Sequence, residues 1–132
     1  ISDLSNFPEG AFDVVVCYGG ALSHVCERRA EVAEGLIRLL WPGGIVLISV
    51  ISRFGVITDV VRRADLPALK DPEGWHFWRV VQQGDLPGLY FPRVDMQHPA
   101  KHLYSGEDLT SLFQDCTVLV LSGSNVSTFE NS

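Results

Sequence analysis

Residues 12–25, FDVVVCYGGALSHV, decide the fold of this chain. Residues 13–17 are rich in β-branched side chains, which is typical of a strand buried on both faces of a parallel sheet. Directly after this strand the chain turns polar and glycine-rich, at residues 18–20. Ligands of α/β sheets bind outside the carboxyl ends of the strands, and glycines let them approach the backbone. The loop is therefore a candidate binding site.

The residues that follow predict a helix and a second strand. Residues 27–40 carry an apolar stripe at helical spacing, made of Ala30, Ala33, Ile37 and Leu40. Pro42 and the two glycines after it end this helix. Residues 45–51, IVLISVI, then predict a second buried strand, which completes a βαβ unit with a right-handed crossover.

The rest of the chain predicts shorter elements. We expect a short helix over residues 54–63, then a hairpin within residues 78–91 that turns at residues 85–88. Ser105 with Asp108 three residues later predicts a capping box at the start of another helix. Residues 117–121, TVLVL, predict a third strand. The order of elements indicates an α/β fold in a single domain, residues 1–132.

Charge, apolar runs and cysteines indicate which kinds of partner this protein lacks. The chain has 132 residues and a formal net charge of −6, and its Lys and Arg residues are scattered. This pattern argues against nucleic acid as a partner, because such proteins carry clustered basic residues. No apolar run reaches the length of a membrane span, so we expect no membrane partner. The three cysteines have no metal-site spacing, which favours free thiols in a reducing, cytoplasmic setting.

Two longer stretches resemble a class I S-adenosylmethionine-dependent methyltransferase of the small-molecule type. The first comprises an acidic turn before Phe12-Asp13, the strand, the Tyr18-Gly19-Gly20 loop, and LLWPGG at residues 39–44 before the next strand. The second, residues 102–128, is similar to the late helix and sixth strand of that family. Their order along the chain makes the resemblance more specific than any single piece.

The resemblance implies a partial Rossmann-like methyltransferase sheet. The three predicted strands correspond to strands 4, 5 and 6 of the family, and residues 65–104 form an aromatic-rich, substrate-side insertion. The family's glycine-rich motif and first three strands have no counterpart here. We therefore expect the chain to be the carboxyl-side part of a methyltransferase domain whose intact parent protein binds the cofactor.

The resemblance also implies which residues face S-adenosylmethionine. Ile1 and Ser2 would flank the adenine, and Cys17, Tyr18 and Gly19 would border the methionine part, chiefly through backbone atoms. Asp3 is an alternative candidate for the acidic residue that faces the adenine amino group in this family. The competing interpretation is that Cys17 is an ordinary strand end followed by an ordinary loop.

Four side chains are candidates for the chemistry of the acceptor. His24, near the start of the first helix, is a candidate general base, since imidazole has a suitable pKa. Trp78, His102 and Tyr104 are candidates for the substrate pocket. For all four, local packing is the alternative interpretation. His98 and His102 have the spacing of a metal pair on a helix, but Pro99 lies between them, so we predict no metal site.

The predicted function is methyl transfer from S-adenosylmethionine to a small-molecule acceptor. Two alternatives stay open: another Rossmann-type enzyme that uses a nicotinamide cofactor, and a noncatalytic domain that associates with itself. Apolar strands without neighbours expose edges that pair with other chains. We therefore also predict a homodimer or a larger assembly.

Overall fold

The computed structural model describes residues 3–63, 76–91 and 96–123. It begins with strand β1 (Phe12–Cys17), helix α1 (Arg29–Leu39) and strand β2 (Leu40–Ile48), with short 3-10 turns at Ala21–His24 and Cys26–Arg28. β1 and β2 are parallel neighbours, with Val14 opposite Ile45 and Cys17 opposite Ile48. The predicted strand–helix–strand order is confirmed, although β2 begins earlier than expected, at Leu40.

Helix α1 packs against the sheet through Val32, Ala33 and Leu36, all of which are buried. They share one core cluster with Cys17, Leu22, Tyr104 and Phe113. Ala30, which the predicted stripe placed on the inner face, is exposed. The inner face is thus set by Val32 and Leu36, which remove more apolar area from water than Ala30 would.

The opposite face of the β1–β2 sheet is exposed. On β1, Val14 and Val16 have 50% and 56% of their surface accessible, and on β2, Ile45 and Leu47 have 43% and 42%. These side chains alternate with inward ones such as Val15, as the period of a strand requires. The prediction that these strands are buried on both faces is therefore wrong within the described part of the chain.

The second half of the described chain consists of short elements. They are α2 (Arg53–Arg63), α3 (His76–Gln83), β3 (Asp85–Leu86), β4 (Leu89–Phe91), β5 (Met96–His98), β6 (Lys101–His102) and α4 (Gly106–Leu112). β3 pairs antiparallel with β6, and β4 with β5. The expected helices near residues 54–63 and after Ser105 are present, and the capping box between Ser105 and Asp108 is confirmed.

Tyr104 joins this second half to the end of β2. Its backbone N–H donates to the Ile51 carbonyl at 2.9 Å, and its carbonyl accepts from the Arg53 N–H at 2.9 Å. Ser52 and Tyr104 thus form a parallel bridge. As a result, the segment from β6 to α4 lies at the carboxyl end of the parallel strands, where α/β proteins bind ligands.

The predicted hairpin over residues 78–91 is wrong. Its first half is helix α3, which ends where Gly84 adopts a left-handed backbone with φ of 77°. The Gly84 N–H donates to the carbonyls of Arg79 and Val80, which closes the last turn of the helix. The strand β3 that follows pairs with β6, far along the chain, instead of with a neighbour in a hairpin.

Residues 117–121 do not form the predicted third strand. Leu119 and Val120 are 72% and 83% exposed, and this segment has no partner strand in the described residues. β-branched residues favour strands because their side chains fit a pleated, half-buried surface. They form a strand only where a neighbouring strand supplies the backbone hydrogen bonds. Of the three strands expected from the resemblance, the described residues therefore contain the first two predicted segments, as β1 and β2.

Candidate functional site

The loop after β1 contains two consecutive left-handed glycines. Gly19 and Gly20 have φ of 73° and 70°. A side chain built on Gly20 would approach Ile51 Cγ1 to 3.1 Å, whereas one built on Gly19 would meet no atom within 4 Å. Gly20 is therefore packed against the segment after β2, while the backbone of Gly19 faces open space that a ligand can enter.

The two flanking residues of this loop differ in exposure. Cys17 is buried at the end of β1, and burial raises the pKa of its thiol. Tyr18 is 60% exposed. A buried thiol of raised pKa is a poor nucleophile. If the loop binds a ligand, the contacts therefore come from its backbone and from the exposed Tyr18 rather than from the sulfur of Cys17.

Buried side chains hold the 3-10 turn after the loop in place. Leu22 and Ser23 are buried, and the Ile51 N–H donates to Ser23 Oγ at 2.9 Å. His24, on the same turn, is exposed and is not among the residues that line the cleft described below. Its predicted catalytic role stays a prediction.

An open cleft of about 420 Å³ lies beside helix α4. It is lined by Arg29, Gln83, His102, Tyr104, Glu107, Asp108, Ser111 and Leu112. β6 contacts the turn Ala21–His24, so the cleft adjoins the chain that follows the glycine loop. A volume of this order suits a small organic molecule.

His102 and Asp85 form a hydrogen bond within the cleft wall. Residues Asp85 and His102 are opposite each other in the β3–β6 pair, and His102 Nδ1 lies 2.7 Å from Asp85 Oδ1. The His102 side chain is 5% exposed, while that of Asp85 is 43% exposed. Asp85 was not predicted as a site residue, and it lies in the stretch that was predicted to be a hairpin turn.

Tyr104 is the most buried polar side chain of the cleft. Its ring packs edge-on against His102, with centroids 4.6 Å apart and planes at 84°. It is 2% exposed, and its hydroxyl has no hydrogen-bond partner among the described residues. Burial raises the pKa of Tyr104 to about 12, so its hydroxyl stays protonated at neutral pH.

Asp108, which lines the cleft, is held in place by its neighbours. Arg53 pairs with Asp108, which also accepts from the Ser105 N–H at 2.9 Å. Burial alone would raise the pKa of Asp108, but the hydrogen bonds from Ser105 and the charge of Arg53 outweigh it and lower that pKa. Asp108 is thus ionised and occupied with structural contacts.

A larger depression of about 950 Å³ lies along the outer side of α1. Its polar groups make contacts with each other: Arg28 pairs with Glu31, and Arg38 donates to the Leu4 carbonyl. Asp3, the alternative adenine contact, lines this depression and accepts from Ser5, which lowers its pKa. Because Asp3, Arg28, Glu31 and Arg38 already have partners within the protein, this depression is a weaker candidate site than the cleft.

The other predicted site residues lie elsewhere. Ile1 and Ser2 fall outside the described residues. Trp78 is on α3, is 52% exposed and does not line the cleft, so its substrate role stays a prediction. In the described ranges, no group of three or more His, Cys, Asp or Glu side chains is arranged to hold a metal ion. Nor is any helix there long and apolar enough to cross a membrane.

Because the buried Tyr104 hydroxyl has no hydrogen-bond partner among the described residues, we expect Tyr104→Phe to stabilise the protein. Leaving a buried donor unpaired costs about 1–3 kcal/mol, which the variant recovers. The native state of the wild type also holds the tyrosine proton more tightly than the unfolded state, so its stability falls as the pH rises from 10.0 towards about 12. Urea unfolding at pH 7 and pH 11 measures both effects. A less stable Phe variant at both values would contradict this account.

Residues 1–48 match the family model described as a methyltransferase domain, so the match covers 48 of the 132 residues. It includes β1, the glycine loop, α1 and β2. The resemblance predicted from the sequence is thereby confirmed for this segment, which is similar to a methyltransferase domain. A search of curated proteins found no matching relative.

Proposed function

We propose that this protein transfers a methyl group from S-adenosylmethionine to a small-molecule acceptor, as part of an intact methyltransferase. The observation that carries the proposal is the position of the Gly19 loop. It lies at the carboxyl end of β1, inside the segment that matches the methyltransferase family, and its backbone is open to a ligand. The three cysteines are free thiols, which supports the proposed cytoplasmic location.

The residues present fit the methionine part of this cofactor. The backbone of Gly19 is accessible without a side chain to obstruct it, and Tyr18 is exposed beside it. We assign Cys17, Tyr18 and Gly19 to this contact, and Ile1 and Ser2 to the adenine as the family resemblance implies. The cofactor supplies an electrophilic methyl group on a sulfonium. The protein's own contribution is to position the acceptor, which can supply about 7–11 kcal/mol of the barrier in favourable cases.

The cleft is the proposed acceptor site. His102 and Tyr104, both predicted from the sequence as substrate contacts, line it together. Leu112 and the Tyr104 ring offer apolar surface, and the exposed polar residues Glu107 and Ser111 lie on the same cleft wall. β6, which carries His102, contacts the turn after the glycine loop, and this contact supports a position of the acceptor near the methyl donor.

Gly19→Ala is expected to weaken binding of S-adenosylhomocysteine, the demethylated product, by tenfold or more. The added methyl group occupies the open space at the loop and strains a left-handed backbone. Calorimetric titration of the full-length protein measures the affinity. Gly43→Ala is the matched control, because Gly43 also has positive φ, at 88°, and open space around it, but lies at the start of the sheet.

Two outcomes would contradict the proposed function. Equal affinities for the wild type and Gly19→Ala would remove the loop from the binding site. Binding of a nicotinamide dinucleotide in place of S-adenosylhomocysteine would favour the other Rossmann-type enzyme. Binding of neither ligand would favour the noncatalytic, self-associating domain.

A further inference from the structure

The hydrogen bond between His102 and Asp85 fixes the protonation of the imidazole. An ionised carboxylate only accepts hydrogen bonds, so the 2.7 Å contact assigns the N–H of neutral His102 to Nδ1. The Nε2 atom then carries the free lone pair. Among the described residues, Nε2 has no hydrogen-bond partner. This arrangement leaves a proton acceptor of fixed orientation in the wall of the cleft.

The surroundings of His102 restrict how it can move. Its ring lies against Tyr104, and its backbone is paired with β3. Side chains held in this way keep a catalytic atom in place without losing rotamer freedom at the moment of reaction. His102 also lines the cleft, so the ring nitrogen that Asp85 does not hold is the one left for a ligand.

We propose that His102 Nε2 removes the proton from the methyl acceptor, that Asp85 positions the imidazole, and that the acceptor is a small hydroxyl compound. This inference rests on the proposed methyl transfer. A base is most useful for a hydroxyl group, since a neutral hydroxyl is a weak nucleophile and its methylated form is strongly acidic. A neutral amine attacks through its own lone pair and needs no base before the transfer.

The proposed methyl transfer accounts for every bond and charge. The acceptor O–H bond breaks and its proton passes to His102 Nε2. The oxygen electron pair forms the new bond to the methyl carbon, and the carbon–sulfur bond breaks with its pair remaining on sulfur. The positive charge of the sulfonium thus reappears as imidazolium on His102, beside the carboxylate of Asp85, and bulk solvent then takes the proton.

The first test reads the tautomer directly and needs no turnover. Protein labelled with ¹⁵N-histidine is examined by NMR, and the His102 signals are assigned by their loss in His102→Asn. We expect a proton on Nδ1 and none on Nε2 in the neutral ring. In Asp85→Asn, the new amide can donate to Nδ1, so the proton should move to Nε2. A wild-type ring protonated on Nε2 would overturn the proposal.

The second test measures methyl transfer to a series of phenols of graded acidity by the full-length protein. His102→Asn keeps an amide that can donate to Asp85 but lacks the proton acceptor. We expect kcat to fall about 10²–10⁴-fold for the least acidic phenol, the range for general-base catalysis, and less for phenols already ionised in solution. Asp85→Asn should lower kcat as well, while Asp115→Asn, which removes an exposed charge, should not.

The outcomes separate this inference from the proposed function. Unchanged kcat in His102→Asn, with S-adenosylhomocysteine still bound, overturns the inference alone. The same holds if only His24→Asn is impaired, or if the wild type binds S-adenosylhomocysteine but methylates none of the phenols. If the wild type does not bind S-adenosylhomocysteine, the proposed function itself fails. If His102→Asn loses activity only because it unfolds at the assay temperature, the hydrogen bond between His102 and Asp85 is structural, and the inference is overturned as well.

Discussion

Gly84→Ala is expected to destabilise the protein by about 3 kcal/mol, because it combines left-handed strain with a clash in a packed site. A methyl group at this position would lie 2.3 Å from the Leu103 carbonyl oxygen and 2.8 Å from the Arg53 guanidinium. Neither neighbour is free to move, since the Leu103 N–H donates to the Gly84 carbonyl at 2.7 Å and Arg53 pairs with Asp108. The displaced Leu103 would also separate the strands β3 and β6 that hold Asp85 against His102.

Urea unfolding followed by circular dichroism measures this effect. Gly43→Ala serves as the control, because Gly43 also has a positive φ, of 88°, but no atom lies within 4 Å of the new methyl group. The control should lose about 1 kcal/mol from backbone strain alone. If both variants lose the same free energy of unfolding, the close packing of Gly84 against Leu103 does not contribute to stability, which would contradict this account.

The second large effect concerns association between copies of the chain. We expect the wild type to form a dimer or larger assembly through the exposed apolar face of β1 and β2. Val14, Val16, Ile45 and Leu47 form a contiguous apolar patch there, and such patches mark interaction surfaces. The apolar segment at residues 117–121 is exposed too and has the composition of a strand without a partner.

Light scattering over a range of protein concentrations tests this expectation. The double variant Val16→Lys and Leu47→Glu places opposite charges on residues that face each other across the two strands. Such a pair preserves the sheet while removing apolar contact area, so the variant should shift towards monomer. Val61→Lys is the control, since Val61 is 60% exposed on α2 and away from the sheet. A wild-type mass of 14.6 kDa at every concentration would contradict the prediction.

The first half of the fold was predictable because its signals are local. The β-branched run of β1, the helical spacing of α1 and the stop at Pro42 each lie within a few residues of the element they define. The capping box at Ser105 was equally readable. The position of the glycine loop at the end of β1 followed from these elements.

The second half was not predictable because its contacts span long stretches of chain. β3 and β6 have two residues each, too few for an alternating pattern, and their pairing brings Asp85 to His102 across 17 positions. The sequence did contain one missed signal, Gly84, whose place after Gln83 is typical of a helix end. At residues 117–121 a strand was predicted that does not form, because the high β-propensity of this segment is not matched by a neighbouring strand in the described residues.

The central claim is that the backbone of the glycine loop binds the methyl donor, and amide NMR during a titration with S-adenosylhomocysteine tests it most directly. We predict saturable shifts of the Tyr18, Gly19 and Gly20 amide signals of the full-length protein. The amides of Gly43 and Gly44, at the opposite end of the same sheet, should remain unchanged. Saturable binding that leaves the three loop amides unmoved, or no shift at any concentration, would contradict the account.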